Sequence, residues 1–305
     1  MMISVIIPFY NERESLPILV ESLVLELNRL KKEYEIVLVD DGSNEDISNI
    51  KNQISKLQSK NKKEIIRLIN HKKRKGKGEA LKTGIENSKG EILVFMDADL
   101  QDDPKDLPKL LNKIEEGYDF VNGYRFKRKE NLLVKIYSKI ASFVLRIFFH
   151  SPFTDINCGF KMFKREVLKD FIFYGNNFRF FPLFAFYQGF KVAEVPVVNH
   201  PRRFGKSKFG PKKVFIGVFD MLTTYFLYKF SEKPLHFFGL LGGVISFVGF
   251  LILVVLAFER IFYNVLLYRR PILWLGILLV IVGIQIVATG IIGELMVYLS
   301  KKNKV

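Results

Sequence analysis

The first half of the chain alternates short apolar runs with longer amphipathic stretches. Ile3–Pro8, Glu35–Asp40, Ile65–Asn70, Glu91–Asp97 and Asp119–Gly123 read as strands, and the stretches starting near Arg13, Asn44, Gly78 and Pro104 read as helices. Such alternation predicts an α/β fold with a mostly parallel sheet covered on both faces. Ligands of such sheets sit beyond the carboxyl ends of the strands. Polar clusters fall there: Tyr10-Asn11-Glu12 after the first run, Asp40-Asp41-Gly42-Ser43 after the second and Asp97-Ala98-Asp99 after the fourth.

The last third has a different pattern. Leu235–Phe258 and Ile272–Gly293 contain no Asp, Glu, Lys or Arg. At about 1.5 Å per helical residue, each is long enough to cross a hydrocarbon core of about 30 Å. Two membrane spans are therefore predicted, over about 235–258 and 272–298. Basic residues crowd the approach to the first span (Arg202, Arg203, Lys206, Lys208, Lys212, Lys213, Lys229, Lys233) and follow the second (Lys301, Lys302, Lys304). The intervening Glu259–Pro271 holds Arg260, Arg269 and Arg270, so both termini are expected on the cytoplasmic side of the cell membrane with a short external hairpin. Two further stretches, about 132–149 and 210–233, mix Phe-rich apolar faces with Lys and Arg and are expected to lie in the headgroup plane; core-facing helices are the alternative. The expected organisation is an α/β domain over 1–209, an interfacial helix over 210–233 and a two-helix membrane domain over 234–305. Gly242-Gly243 allows close helix approach, and with it a homo-oligomer through the spans.

Composition narrows the partners. The 47 Lys and Arg against 31 Asp and Glu give a net charge of +16, in a chain that is 49% hydrophobic. Together these fit an anionic membrane surface better than a disordered nucleic-acid binder, although charge alone leaves both open. A membrane and no nucleic acid is the expectation. The single cysteine, Cys158, excludes an intrachain disulfide and reads as a small buried residue. His71, His150, His200 and His236 lack the spacing of a zinc site.

Asp97-Ala98-Asp99-Leu100-Gln101 carries the most specific chemistry. Asp97, Asp99 and Gln101 alternate, so on an extended segment they share one face. They are oxygen donors of the kind taken by Mg2+ or Mn2+, ions that neutralise a diphosphate. A solvated acidic turn capping the helix from Pro104 is the plainer alternative, with Asp102 and Asp103 able to serve the cap instead. Asp40-Asp41-Gly42-Ser43 also has the composition of an ordinary turn. Lys77, flanked by Gly76 and Gly78, either approaches a phosphate or is one solvated charge among Lys72, Lys73, Arg74 and Lys75.

Taken together, these pieces resemble the family 2 inverting glycosyltransferases of GT-A fold. The resemblance is strongest to the polyprenyl-phosphate branch, which includes dolichol-phosphate mannose synthases and bactoprenol glucosyltransferases. The matching residues are Val5-Ile6-Ile7-Pro8-Phe9-Tyr10-Asn11-Glu12, Val39-Asp40-Asp41-Gly42-Ser43, Gly76-Lys77-Gly78 with Ala80 and Gly84, and Met96-Asp97-Ala98-Asp99-Leu100-Gln101. Asp155 with Cys158-Gly159-Phe160-Lys161, Arg202-Arg203-Phe204-Gly205-Lys206-Ser207-Lys208, and Gly293-Glu294 complete the set.

The resemblance implies a nucleotide-diphosphate sugar, UDP- or GDP-linked, as donor of a hexose-type sugar and a polyprenyl phosphate as acceptor. It implies that Pro8, Tyr10, Glu12, Val39 and Asp41 line the base and ribose pocket, joined on the donor side by Lys77, Ala98, Arg202 and Lys208. Asp97, Asp99 and Gln101 would hold Mg2+ or Mn2+. Arg125, Arg203, Ser207 and Ser138 match phosphate-binding positions. The arginine expected before Ser138 is Val134 here, with Lys135 adjacent, so Lys135 takes that assignment. Asp155 matches a region that supplies a catalytic base in relatives with hydroxyl acceptors; an ionised lipid phosphate needs no base, so Asp155 is expected to organise its loop or contact the sugar. Glu294 is assigned to snorkelling or helix pairing. Transfer to another membrane lipid or a polysaccharide, and a nucleotide-binding membrane pseudoenzyme, are the competing readings.

Overall fold

The structure is a computed structural model. It describes residues 1–46, 65–125, 151–204, 232–264 and 270–302, with isolated positions between them. The chain divides into two compact units, Met1–Met221 and Leu222–Val305.

In the first unit, strands β1 (Met2–Phe9), β2 (Glu33–Asp40), β3 (Ile65–Asn70), β4 (Ile92–Phe95), β5 (Phe120–Arg125), β6 (Lys161–Lys164) and β7 (Val192–Val197) form a seven-stranded sheet among the described residues, in the order β3-β2-β1-β4-β6-β5-β7. Neighbours run parallel except β6, which is antiparallel to both β4 and β5. Helices α1 (Ser15–Arg29), α2 (Lys77–Glu86), α3 (Leu107–Glu115) and α4 (Phe181–Tyr187) accompany the sheet among the described residues, with three short 3₁₀ turns. Seven consecutive residues of β1 and seven of β2 are buried, because helices cover both faces and leave no side for polar alternation. Neighbouring residues then serve different cores. Val121 and Met162 join Ile3, Val5, Leu19 and Leu23 on one face. Phe120 and Phe163 turn to the other, where they pack with Phe95 and Phe181 at ring separations of 4.8–5.6 Å.

Two strands carried too weak a pattern to be predicted. β6 is four residues with a lysine at each end, and β7 holds Glu194 and Pro196, residues tolerated because β7 is an edge strand. The fourth strand is shorter than expected: pairing stops at Phe95, and residues 96–100 leave the sheet as a turn. The expected helix from Pro104 begins as a 3₁₀ turn, Pro104–Asp106, capped by Asp103, whose carboxylate accepts from Lys105 N–H at 3.0 Å.

The second unit is a helical hairpin. Helices α5 (Pro234–Tyr263) and α6 (Pro271–Lys302) contain 18-residue stretches with mean hydropathies of 2.8 and 2.6 and are long and apolar enough to cross a membrane. Each runs beyond the predicted span, carrying Glu259 and Arg260 into α5. Glycines at seven-residue intervals, Gly242 and Gly249 on α5 and Gly276, Gly283 and Gly290 on α6, form the seam. A Cβ on Gly242 would lie 2.5 Å from the Gly283 carbonyl oxygen, and one on Gly249 would lie 2.7 Å from that of Gly276. Gly242 therefore serves this intrachain contact, while Gly243 faces open space. Glu294 pairs the helices at one end: its carboxylate accepts from Leu235 N–H at 3.2 Å. Arg270 pairs with Glu259 at the other end. The expected interfacial helix over 132–149 lies outside the described residues, as does most of 210–233.

Candidate active site

The polar clusters converge at the carboxyl ends of β1, β2 and β4. Pro8 and Val39 are register partners on β1 and β2 and are both buried. Beyond them the two strand ends are tied together. Asn11, held at φ +53°, donates its N–H to Ser43 Oγ at 2.9 Å and accepts from Asn44 N–H at 3.0 Å. The Tyr10 ring carries the Arg74 guanidinium 4.2 Å from its centroid. Asp41 is buried and fully engaged: Oδ1 accepts from Lys75 N–H at 2.8 Å and meets His71 Nδ1 at 3.1 Å, and Oδ2 accepts from Gly76 N–H at 2.9 Å. His71 Nε2 in turn meets Thr83 Oγ1 on α2 at 3.0 Å. Gly42 makes this closure possible. At φ +71°, a Cβ there would lie 2.7 Å from the backbone of Lys73 and Arg74.

The segment Asp97–Gln101 is a turn, so the alternation expected of an extended strand end does not operate. Leu100 sits at φ +62°, and Gln101 N–H folds back to Asp99 Oδ1 at 3.2 Å. The turn nevertheless leaves Asp97 and Asp99 beside each other. Burial, and next the charge of Asp97, push the Asp99 carboxyl above its ordinary value. Asp97 is also desolvated, yet the Lys77 ammonium on its Oδ1 holds it below its ordinary value, helped by Lys161 and Arg125. Two mutually repelling carboxylates are oxygen donors that a hard divalent cation fits. No group of three or more His, Cys, Asp or Glu converges as a metal centre among the described residues, here or elsewhere, so the turn offers two carboxylates and not three.

The segment 199–202 reaches this turn through main-chain bonds. His200 N–H donates to the Gln101 carbonyl at 2.8 Å, and His200 Nε2 meets Asp103 Oδ2 at 3.1 Å. That places Arg202 against Glu12, with its second amino group 3.8 Å from Asp99 Oδ2. Arg203 is exposed. Arg125 is held by Asp155 through a two-point ion pair at 2.6 and 2.8 Å. The Asp155 loop is anchored by Glu194, which accepts from the N–H groups of Thr154 (2.8 Å) and Asp155 (3.2 Å). Lys135, Ser138, Ser207 and Lys208 lie outside the described residues.

Four side chains at this edge were not assigned from sequence. His71 braces Asp41, and Arg74 lies over the Tyr10 ring. Asp102 is turned inward, leaving Asp103 to cap; burial, then Asp97 and Asp99, push its carboxyl up to about 7. Lys161 is buried in β6 and donates to the carbonyls of Ile156 and Cys158; burial lowers its pKa to about 8. Only the placement of acids before Pro104 hinted at Asp102, and Lys161 stood in the matching piece Cys158-Gly159-Phe160-Lys161 without a role of its own. Cys158 is buried, and its thiol is pushed up to about 12 by burial and Asp102, which makes it inert.

The profile of the family described as Glycosyl transferase family 2 matches residues 4–172. A dodecaprenyl-phosphate galacturonate synthase of Rhizobium johnstonii is 28% identical over 299 residues, covering 96% of this chain and 87% of its own. An undecaprenyl-phosphate 4-deoxy-4-formamido-L-arabinose transferase of Photorhabdus laumondii is 31% identical, with the same coverage of 96% and 87%. Among solved structures, glucosyl-3-phosphoglycerate synthase of Mycobacterium tuberculosis, in complex with Mn2+, UDP and phosphoglyceric acid, superposes with a TM-score of 0.56 at 19% identity, covering 74% of this chain and 77% of its own. That likeness is one of fold, and it fits the expected GT-A architecture.

Proposed function

The chain belongs to glycosyl transferase family 2, and from that premise we propose that it moves a sugar from a UDP- or GDP-linked donor onto a polyprenyl phosphate, with inversion. The observation that carries this reading is the acidic turn Asp97–Gln101 at the sheet's carboxyl edge, faced by Lys77, Arg202 and the Arg125–Asp155 pair. Its support from relatives is that two proteins named for sugar transfer to a polyprenyl phosphate align along 96% of the chain, including its apolar helices.

In the proposed mechanism, Tyr10, Glu12 and the loop held by Asp41 receive the base and ribose. Lys77 and Arg202 receive the diphosphate. Asp97, Asp99 and Gln101 would hold Mg2+ or Mn2+, whose chemistry is to neutralise charge on the leaving diphosphate. An oxygen of the lipid phosphate, already ionised near neutral pH by analogy with a phosphoryl pKa of about 6, attacks the anomeric carbon. The bond from that carbon to the diphosphate oxygen breaks, and the nucleoside diphosphate departs with the electron pair. No proton need be removed from the acceptor, which leaves Asp155 to hold Arg125 in place. Arg125, Arg203 and the segment carrying Ser207 and Lys208 are assigned to positioning phosphate, as are Lys135 and Ser138. The apolar hairpin would anchor the chain in the cell membrane with the first unit and both termini in the cytoplasm, following the lysine-rich flanks.

The test is transfer by the purified full-length protein, using a panel of radiolabelled nucleotide sugars and short polyprenyl phosphates, with product configuration determined by NMR. Metal-dependent transfer to the lipid phosphate with inverted configuration is expected. Transfer to sugar hydroxyls in preference to every polyprenyl phosphate would overturn the acceptor assignment.

A further inference from the structure

The site's acids are held by two kinds of cation. Arg125 is locked to Asp155 by two short bonds, and Asp155 is itself fixed by its loop. Lys77 and Arg202 are held differently. Lys77 begins α2, and its ammonium rests on Asp97, with the Phe178 ring centroid 5.2 Å away. Both Lys77 and Asp97 keep 36% of their side-chain surface exposed, so they can separate without disturbing the core. Arg202 bridges Glu12 and Asp99 from an irregular segment, with 21% of its side chain exposed. Both cations thus occupy carboxylates assigned above to the metal or the ribose.

We propose that Lys77 and Arg202 are resident counter-cations that exchange partners when substrate binds, making divalent-cation binding and diphosphate binding dependent on each other. This rests on the donor and metal assignment above. A divalent cation arriving alone must displace the ammonium from Asp97 and leave that charge unpaired beside a dication, a repulsive arrangement in a half-buried site. A diphosphate removes the conflict, because its oxygens give the ammonium and the guanidinium new partners while both carboxylates turn to the metal. By linkage, the factor by which nucleotide tightens metal binding equals the factor by which metal tightens nucleotide binding. The device also keeps the acidic turn neutralised between turnovers, when two carboxylates would otherwise repel each other. Arg125, lacking any such freedom, stays with Asp155 throughout.

The experiment is Mn2+ binding to the full-length protein in detergent, measured by electron paramagnetic resonance of free Mn2+, with and without UDP or GDP. Lys77→Met removes the competing charge while keeping chain length, and Lys77→Gln is the second variant should the first fail to fold; thermal melting checks both. Mn2+ alone should bind the neutral variants about tenfold more tightly than wild type, with the enhancement by nucleotide reduced by a similar factor, within the range usual for coupled sites. Unchanged or weaker Mn2+ binding by a folded neutral variant would overturn the exchange. Asp97→Asn separates this from the premise: it should lose Mn2+ binding under every condition. If it binds Mn2+ as wild type does, the metal assignment falls and the exchange falls with it.

Discussion

Two acidic turns sit side by side at one sheet edge, and they are built on opposite terms. Asp41, after β2, has its oxygens taken by two main-chain N–H groups and by a histidine pinned to α2. Asp97 and Asp99, after β4, face the partly exposed charged ends of Lys77 and Arg202. The first turn is architecture: its partners are two backbone groups and a pinned imidazole, which cannot leave while the loop stays folded. The second is poised for exchange, because long side chains release a carboxylate at little cost. A carboxylate at a strand end is thus functional or structural according to what holds it.

Substitutions can break this comparison. The largest effect is expected for Asp99→Ala, which should lower turnover about a thousandfold or more by removing charge stabilisation at the leaving group, with melting unchanged. Asp41→Ala should act in the opposite sense. It strands two partly buried main-chain N–H donors and the buried His71, costing roughly 3 kcal/mol of stability, seen as a lower melting temperature before any loss specific to donor affinity. Gly283→Leu provides a control away from both turns. The added Cβ would lie 2.6 Å from the Gly242 carbonyl oxygen, and the overpacked seam should cost about 2 kcal/mol, read as earlier melting in detergent.

A further prediction concerns pH. Burial lowers the pKa of Lys161 from 10.5 to about 8 in the folded chain. Between those values the unfolded chain binds the extra proton, so stability rises with pH across that window and the contribution is lost as pH falls through about 8. The melting temperature of wild type should therefore climb more from pH 8 to 10 than that of Lys161→Met; parallel profiles would remove Lys161 from the account.

The sheet edge was legible because buried parallel strands are written as unbroken apolar runs, and the polar residues after β1, β2 and β4 mark where those runs stop. β6 and β7 were not legible, since four residues between lysines and an edge strand containing Pro196 carry no such pattern. Within the site, sequence could name Asp97, Asp99, Lys77 and Arg202 but not pair them. Lys77 and Asp97 lie 20 positions apart, and Arg202 and Glu12 lie 190 apart. It also gave Asp97–Gln101 the wrong local geometry, because strand periodicity was carried past Phe95 into a turn closed by Leu100. Asp102 and Asp103 illustrate the same limit: both suit a cap, and only packing decides which one turns inward.

The bond between Leu235 and Glu294 has a consequence for biosynthesis. The acceptor that completes the first turn of α5 lies 59 residues downstream of its donor. A ribosome finishes the whole of the first helix, and about three quarters of the second, before that amide has its native partner. The two helices are therefore completed as a pair, and truncation just before Glu294 would leave the leading helix with an unsatisfied entrance.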